Sequence, residues 1–150
     1  GISTVGVAVS DIIDNTNFIA GTKVTGYGDA ASQVVVDQTS TNTSAVSGSA
    51  IVNFLGMTTA YTSAAATKSI LIGGTFANNT SSSVNLTIEV HDASAGIQAA
   101  LATKIPVPTG SSFVISDAGK SVLEAGDEVR VFCDTANAID VNLSILTGVS

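Results

Sequence analysis

Through the second half of the chain, apolar and polar residues alternate with a period of two. From Lys68 onward, short apolar runs ("SILIGGTF", "VNLTIEV", "ALATKIPV", "FVIS", "SVLEAGDEVRVF", "IDVNLSIL") are separated by turn-forming stretches ("NNTSSS", "HDASAG", "PTGSS", "DAGK", "DTANA"). In "SVNLTIEV", Val84, Leu86, Ile88 and Val90 point one way while Asn85, Thr87 and Glu89 point the other, the signature of a strand buried on one face. Ile139, Val141, Leu143 and Ile145 repeat it against Asp140, Asn142 and Ser144. Several short strands at this spacing, with Gly, Asp, Asn and Ser at the joints, predict an all-β protein: an antiparallel β-sandwich or jelly roll with little helix. Pro106 and Pro108 in "KIPVPTG" each lack a backbone donor, which places that segment at a sheet edge or a strand end.

The first half is less regular. Strands are expected at Gln33–Asp37 and Ser49–Leu55, with the Ser/Thr/Asn run from Thr39 to Ser49 as a loop between them. The opening "GISTVGVAVSD" reads as a first strand or as an extended arm, Gly1 to Asp11, available to pair with a neighbouring subunit. "TTAYTSAAATK", Thr58 to Lys68, reads as a connector. The expected organisation is an N-terminal arm and β segment over 1–67 and a C-terminal sandwich over 68–150, together one compact domain.

Composition adds a constraint. Only 11% of residues are charged against 45% hydrophobic, so polar cover comes from Ser, Thr and Asn. Such a surface leaves apolar area that a monomer rarely tolerates in the open, and this predicts burial against other chains. The net charge of −7, with Lys23, Lys68, Lys104, Lys120 and Arg130 scattered, gives a phosphate backbone nothing to bind, so no nucleic-acid partner is expected. No apolar run approaches the length of a membrane span, and "GISTVGVAVSDIIDNTNFIAG" lacks the basic start of a signal peptide, so a soluble chain without a membrane partner is expected. The first Gly suits either removal of an initiating Met or a chain that begins after a processed leader.

Candidate chemistry is sparse. Glu124, Asp127 and Glu128 crowd into "LEAGDEVRV", but Ala125-Gly126-Asp127 is turn chemistry, and the three carboxylates read as a solvated corner beside Arg130. A loose calcium site is the alternative there, although the EF-hand pattern is absent. His91, the one histidine, reads as an exposed strand-end residue with no orienting partner. Replacing His91 with Ala or Asp127 with Asn is therefore expected to leave assembly unchanged. Cys133 reads as a packed thiol rather than a nucleophile. With no Trp, only Tyr27 and Tyr61 could form a sugar-stacking platform. Sequons at Asn42, Asn78, Asn79, Asn85 and Asn142 are what chance gives in so Ser/Thr-rich a chain. No catalytic, cofactor or metal site is expected, and an enzyme is not.

The strand containing "NTSSSVNLTIEV", followed by "KIPVPTGSS", "VLEAGDEVRV" and a closing "DVNLSIL", resembles small virion structural proteins of tailed bacteriophages, of the marine and cyanobacterial type. The resemblance covers Lys68 to Thr147. It implies a β-sandwich component of the virion, assembled in the host bacterial cytoplasm: a capsid decoration (cement) protein, bound to the major capsid protein or other virion proteins as a homo-oligomer, with a trimer favoured. A neck, collar or tail component is the alternative it leaves, and a cell-surface or receptor-binding module is a more distant one.

Overall fold

Period-two burial runs through the long strands of the computed structural model, which describes residues 6–15, 17–29, 33–38, 52–116 and 120–149. Within them lie β1 (Ile12–Asp14), β2 (Val24–Tyr27), β3 (Val34–Val36), β4 (Asn53–Leu55), β5 (Thr58–Thr62), β6 (Lys68–Asn78), β7 (Val84–Asp92), β8 (Ile97–Val107), β9 (Ser112–Ile115), β10 (Ser121–Leu123), β11 (Glu128–Cys133) and β12 (Ile139–Val149). All their pairings are antiparallel, and no helix occurs among the described residues. The fold is all-β, as the alternation predicts.

The chain divides into two compact units, Gly1–Gly56 and Met57–Ser150. In the first, β1 pairs with β4 and β2 with β3, around buried Ile13 and Val24. Of the expected arm, residues 1–5 lie outside the described residues, and Ala8 to Asp11 are bound within this unit. Ser10 N–H donates to Val24 O, Val24 N–H donates to Asp11 O, and the buried Asp11 carboxylate accepts from Ala8 N–H at 2.8 Å. That stretch is thus not a free arm. β3 and β4 fall within the two expected strands, and the loop expected from Thr39 to Ser49 lies wholly outside the described residues.

In the second unit the boundary differs from the expected one. Thr58–Thr62 is a strand, β5, paired with β11, so the segment read as a connector belongs to the sandwich. Its Thr and Ala content hid it, because an edge strand with one half-buried residue, Tyr61, carries little apolar alternation. Two four-stranded sheets form this unit: β5-β11-β7-β8, and β6 with β12 along one side and β10 then β9 along the other. Leu71, Phe76, Ile115 and Leu123 from one sheet and Val84, Leu86, Ile88, Val107, Val129 and Val131 from the other join one buried cluster. Both sheets contribute their apolar faces to that cluster, a sandwich-like arrangement.

Polar side chains tie the two sheets at both ends of the unit. Asn78, buried at the end of β6, donates through Nδ2 to Val107 O of β8 (2.9 Å) and to Ser82 O (2.7 Å), while its Oδ1 accepts from Thr80 N–H. At the other end, Ser69 Oγ of β6 lies 2.8 Å from Tyr61 Oη and 3.0 Å from Ser63 Oγ. The side chains of Asn78, Ser69, Ser63 and Tyr61 are thus each satisfied where they tie one sheet to the other. Pro106 lies on β8, the terminal strand of its sheet, and Pro108 just beyond it, as their missing donors predict.

Phe76 is fully buried and its ring lies 6.4 Å from that of Phe113. Phe76→Ala is expected to cost about 3–5 kcal/mol in a urea unfolding experiment, whereas Ile97→Ala, at an exposed position, is expected to stay within about 0.5 kcal/mol. Comparable costs at the two positions would contradict this placement of the core.

Candidate functional site

The carboxylate-rich corner is built by the turn between β10 and β11. Gly126 takes φ of +90°, which a side chain would strain and which a tight turn between these strands requires. The turn places Asp127 inward, not toward solvent. It is only 5% exposed, its Oδ2 accepts from Glu124 N–H (2.9 Å) and its Oδ1 from Ala93 N–H (3.1 Å), and its backbone bonds Ser63. This corrects the reading of Asp127 as solvated: it joins the β10–β11 turn to the β7–β8 turn. Glu124 is exposed and pairs with Lys68 at 3.0 Å. Glu128 turns to the outer face of its sheet, where Arg130 Nε donates to it at 2.6 Å. The three carboxylates therefore diverge. Among the described residues, no three His, Cys, Asp or Glu side chains form a group that could hold a metal ion.

His91 is not the exposed residue expected from its position at a strand end. Register sets it opposite Glu128, its side chain is largely covered, and its buried Nδ1 lies 3.7 Å from Glu128 Oε2 without a hydrogen bond. With Glu89 opposite Arg130, the outer face of β7 and β11 carries an alternating acid–base row. Next to it, Asp92 closes its own turn: it accepts from Ala95 and Ser94, and these bonds hold its carboxyl below the usual range. Cys133 packs against the core, and burial pushes its thiol up, away from the reactive thiolate. Tyr61 is spent inside the sandwich, and Tyr27 donates its hydroxyl to Val7 O in the other unit, so the tyrosines form no shared platform within either unit.

What the structure does assemble is an apolar outer face on the sheet of β6. Val122 of β10 and Leu146 of β12 flank Ile70 of β6 in register, and Ile72 and Val114 continue the patch. Val122, Val114 and Leu146 are 61%, 56% and 50% exposed. Beside them, Ile72, Gly73, Gly74, Thr75, Val114, Asn142 and Ser144 line a shallow groove of about 440 Å³. Strict alternation missed this face. Its signal lies in consecutive apolar residues, "ILI" at 70–72, "FVI" at 113–115 and "IL" at 145–146, which put apolar side chains on both sides of a strand. A sheet apolar on both sides, with one covered by the partner sheet, presents the other for association.

The chain matches no protein-family model, no curated protein sequence and no solved structure.

Asp127→Asn removes one of the two carboxylate acceptors that this buried side chain offers to Ala93 N–H and Glu124 N–H and is expected to destabilise the protein by about 1–3 kcal/mol in chemical unfolding. Glu124→Gln, which loses only an exposed ion pair, is expected to cost less than about 1 kcal/mol. An unchanged midpoint for Asp127→Asn would contradict the buried clasp.

Proposed function

We propose that the chain is a structural protein of the virion of a tailed bacteriophage, a capsid decoration protein that binds the head shell as a homo-oligomer. The observation that carries this reading is the apolar outer face of the β6 sheet, with Val114, Val122 and Leu146 in the open. A repeated lattice multiplies a modest contact: each copy buries little, and many copies together stiffen the shell. The net charge of −7 favours a place away from packaged DNA. Asp127 and Asn78 hold turns and sheet ends together, and Glu128 pairs with Arg130. The trimer implied by the resemblance and the major capsid protein as partner belong to this proposal.

The test is addition of the purified protein to phage heads that lack it, with bound copies counted after sedimentation and shell stability followed by heating. Wild-type protein is expected to bind and raise the melting temperature of the shell. A Val114→Asp/Val122→Asp variant, altered only at exposed positions, is expected to bind about tenfold more weakly. Equal binding by both would remove the outer face from the contact. No binding by either, with labelling of the neck or tail in whole particles, would place the protein there.

A further inference from the structure

The sandwich has two long edge strands, and they are protected differently. Among the described residues β8 pairs only with β7, and its other edge is broken up: the register slips twice, between Leu86 and Ile88 and between Ile88 and Glu89 of β7, each time with an extra residue on β8. Lys104 takes φ of +49° and Pro106 offers no N–H. Bulges, lysine and proline are the devices that stop an edge from pairing with another chain. β12 pairs, among the described residues, only with β6. The bulge between these two strands lies on β6, because Ser144 faces Gly73 and Ile145 faces Leu71 with Ile72 between. From Ile139 to Thr147, β12 runs without a slip of its own, contains no proline, and carries one charge, Asp140.

We propose that the free edge of β12 pairs antiparallel with β12 of a second copy, about a two-fold axis at Leu143, and so joins the two β6 sheets into one. Three features select a second copy as the occupant. Pairing about Leu143 sets residue 141 opposite 145, so Val141, which faces inward but is 40% exposed at the open edge, meets Ile145 of the other copy. The same register sets Asp140 opposite Leu146, which keeps the two Asp140 carboxylates apart, and Asn142 opposite Ser144, both exposed and neutral. No like charges face each other, although each chain carries −7. A two-fold axis normal to the sheet also keeps inward residues inward, so each core row continues into the next copy. Backbone hydrogen bonds supply the affinity and the inward row supplies the register. This pairing does not rest on the assignment to a virion, and it replaces the three-fold association proposed above with a two-fold one, from which the mass it produces distinguishes it.

The register gives the experiment. Asn142 and Ser144 face each other across the axis, so an Asn142→Lys/Ser144→Lys variant sets lysine against lysine twice, and an Asn142→Asp/Ser144→Asp variant sets aspartate against aspartate. Both sites are exposed in the single chain, and circular dichroism reports whether each variant keeps its strand content. By native mass spectrometry and sedimentation at micromolar concentration, the wild-type chain is expected at twice 14.9 kDa. Each variant alone is expected to dimerise at least about tenfold more weakly, and an equimolar mixture to recover a dimer containing one chain of each. A monomeric wild-type chain would overturn the proposal. So would a dimer or trimer that both charge pairs leave unchanged, or a mixture that fails to recover.

Discussion

The second unit depends on one irregularity, the bulge of β6 opposite the Ser144–Ile145 step of β12. Before it, Ser69 and Leu71 face the core; after it, Gly74, Phe76 and Asn78 do. An unbroken alternation from Leu71 would turn Phe76 out to solvent and Asn78 away from Val107. The extra residue therefore lets one strand deliver an odd-numbered pair to one end of the core and an even-numbered set to the other. Gly73 makes this possible, since a Cβ there would lie 2.7 Å from Ile115 O of the neighbouring β9. The consequences reach both ends of the sandwich, because Ser69 and Asn78, the groups that tie β6 to the opposite sheet, need opposite parities on one strand.

This explains what could be read from the sequence and what could not. β7 pairs with β11 without a slip, and Val84, Leu86 and Ile88 were legible as core from period alone. The edge position of β8 was legible from Pro106. "ILIGGTF" was legible as a strand, but nothing in it announces which residue is the extra one, so the facing of Phe76 had to come from the structure. The polar roles were hidden for a related reason. Asp127 and His91 look solvated when judged by their own segments, and the groups that meet them, Ala93 N–H of the β7–β8 turn and the Glu128 side chain of β11, come from segments distant in sequence. β5 was hidden because a threonine-rich edge strand and a threonine-rich connector have the same composition.

The surplus of apolar residues noted in the composition finds a location. Within the second unit most of it lies where β6, β9, β10 and β12 carry consecutive apolar residues, while the outer face of β7 and β11 is occupied by Glu89, His91, Glu128 and Arg130. One sheet thus turns an ionic face to solvent and ends in the blunted β8; the other turns an apolar face outward and ends in the regular β12. That asymmetry is the physical basis for both proposals, pairing of a second copy at the β12 edge and binding of another chain on the apolar face.

Hydrogen–deuterium exchange of the isolated protein, compared between dilute and concentrated solution, tests this claim most directly. Half of the β12 amides point away from β6 and, among the described residues, lack a partner strand in the single chain. With association at this edge, amides across Ile139–Thr147 gain protection as concentration rises, while those of β8, Ile97–Val107, exchange at an unchanged rate. Protection that rises in β8 instead, or nowhere at any concentration, would contradict the account.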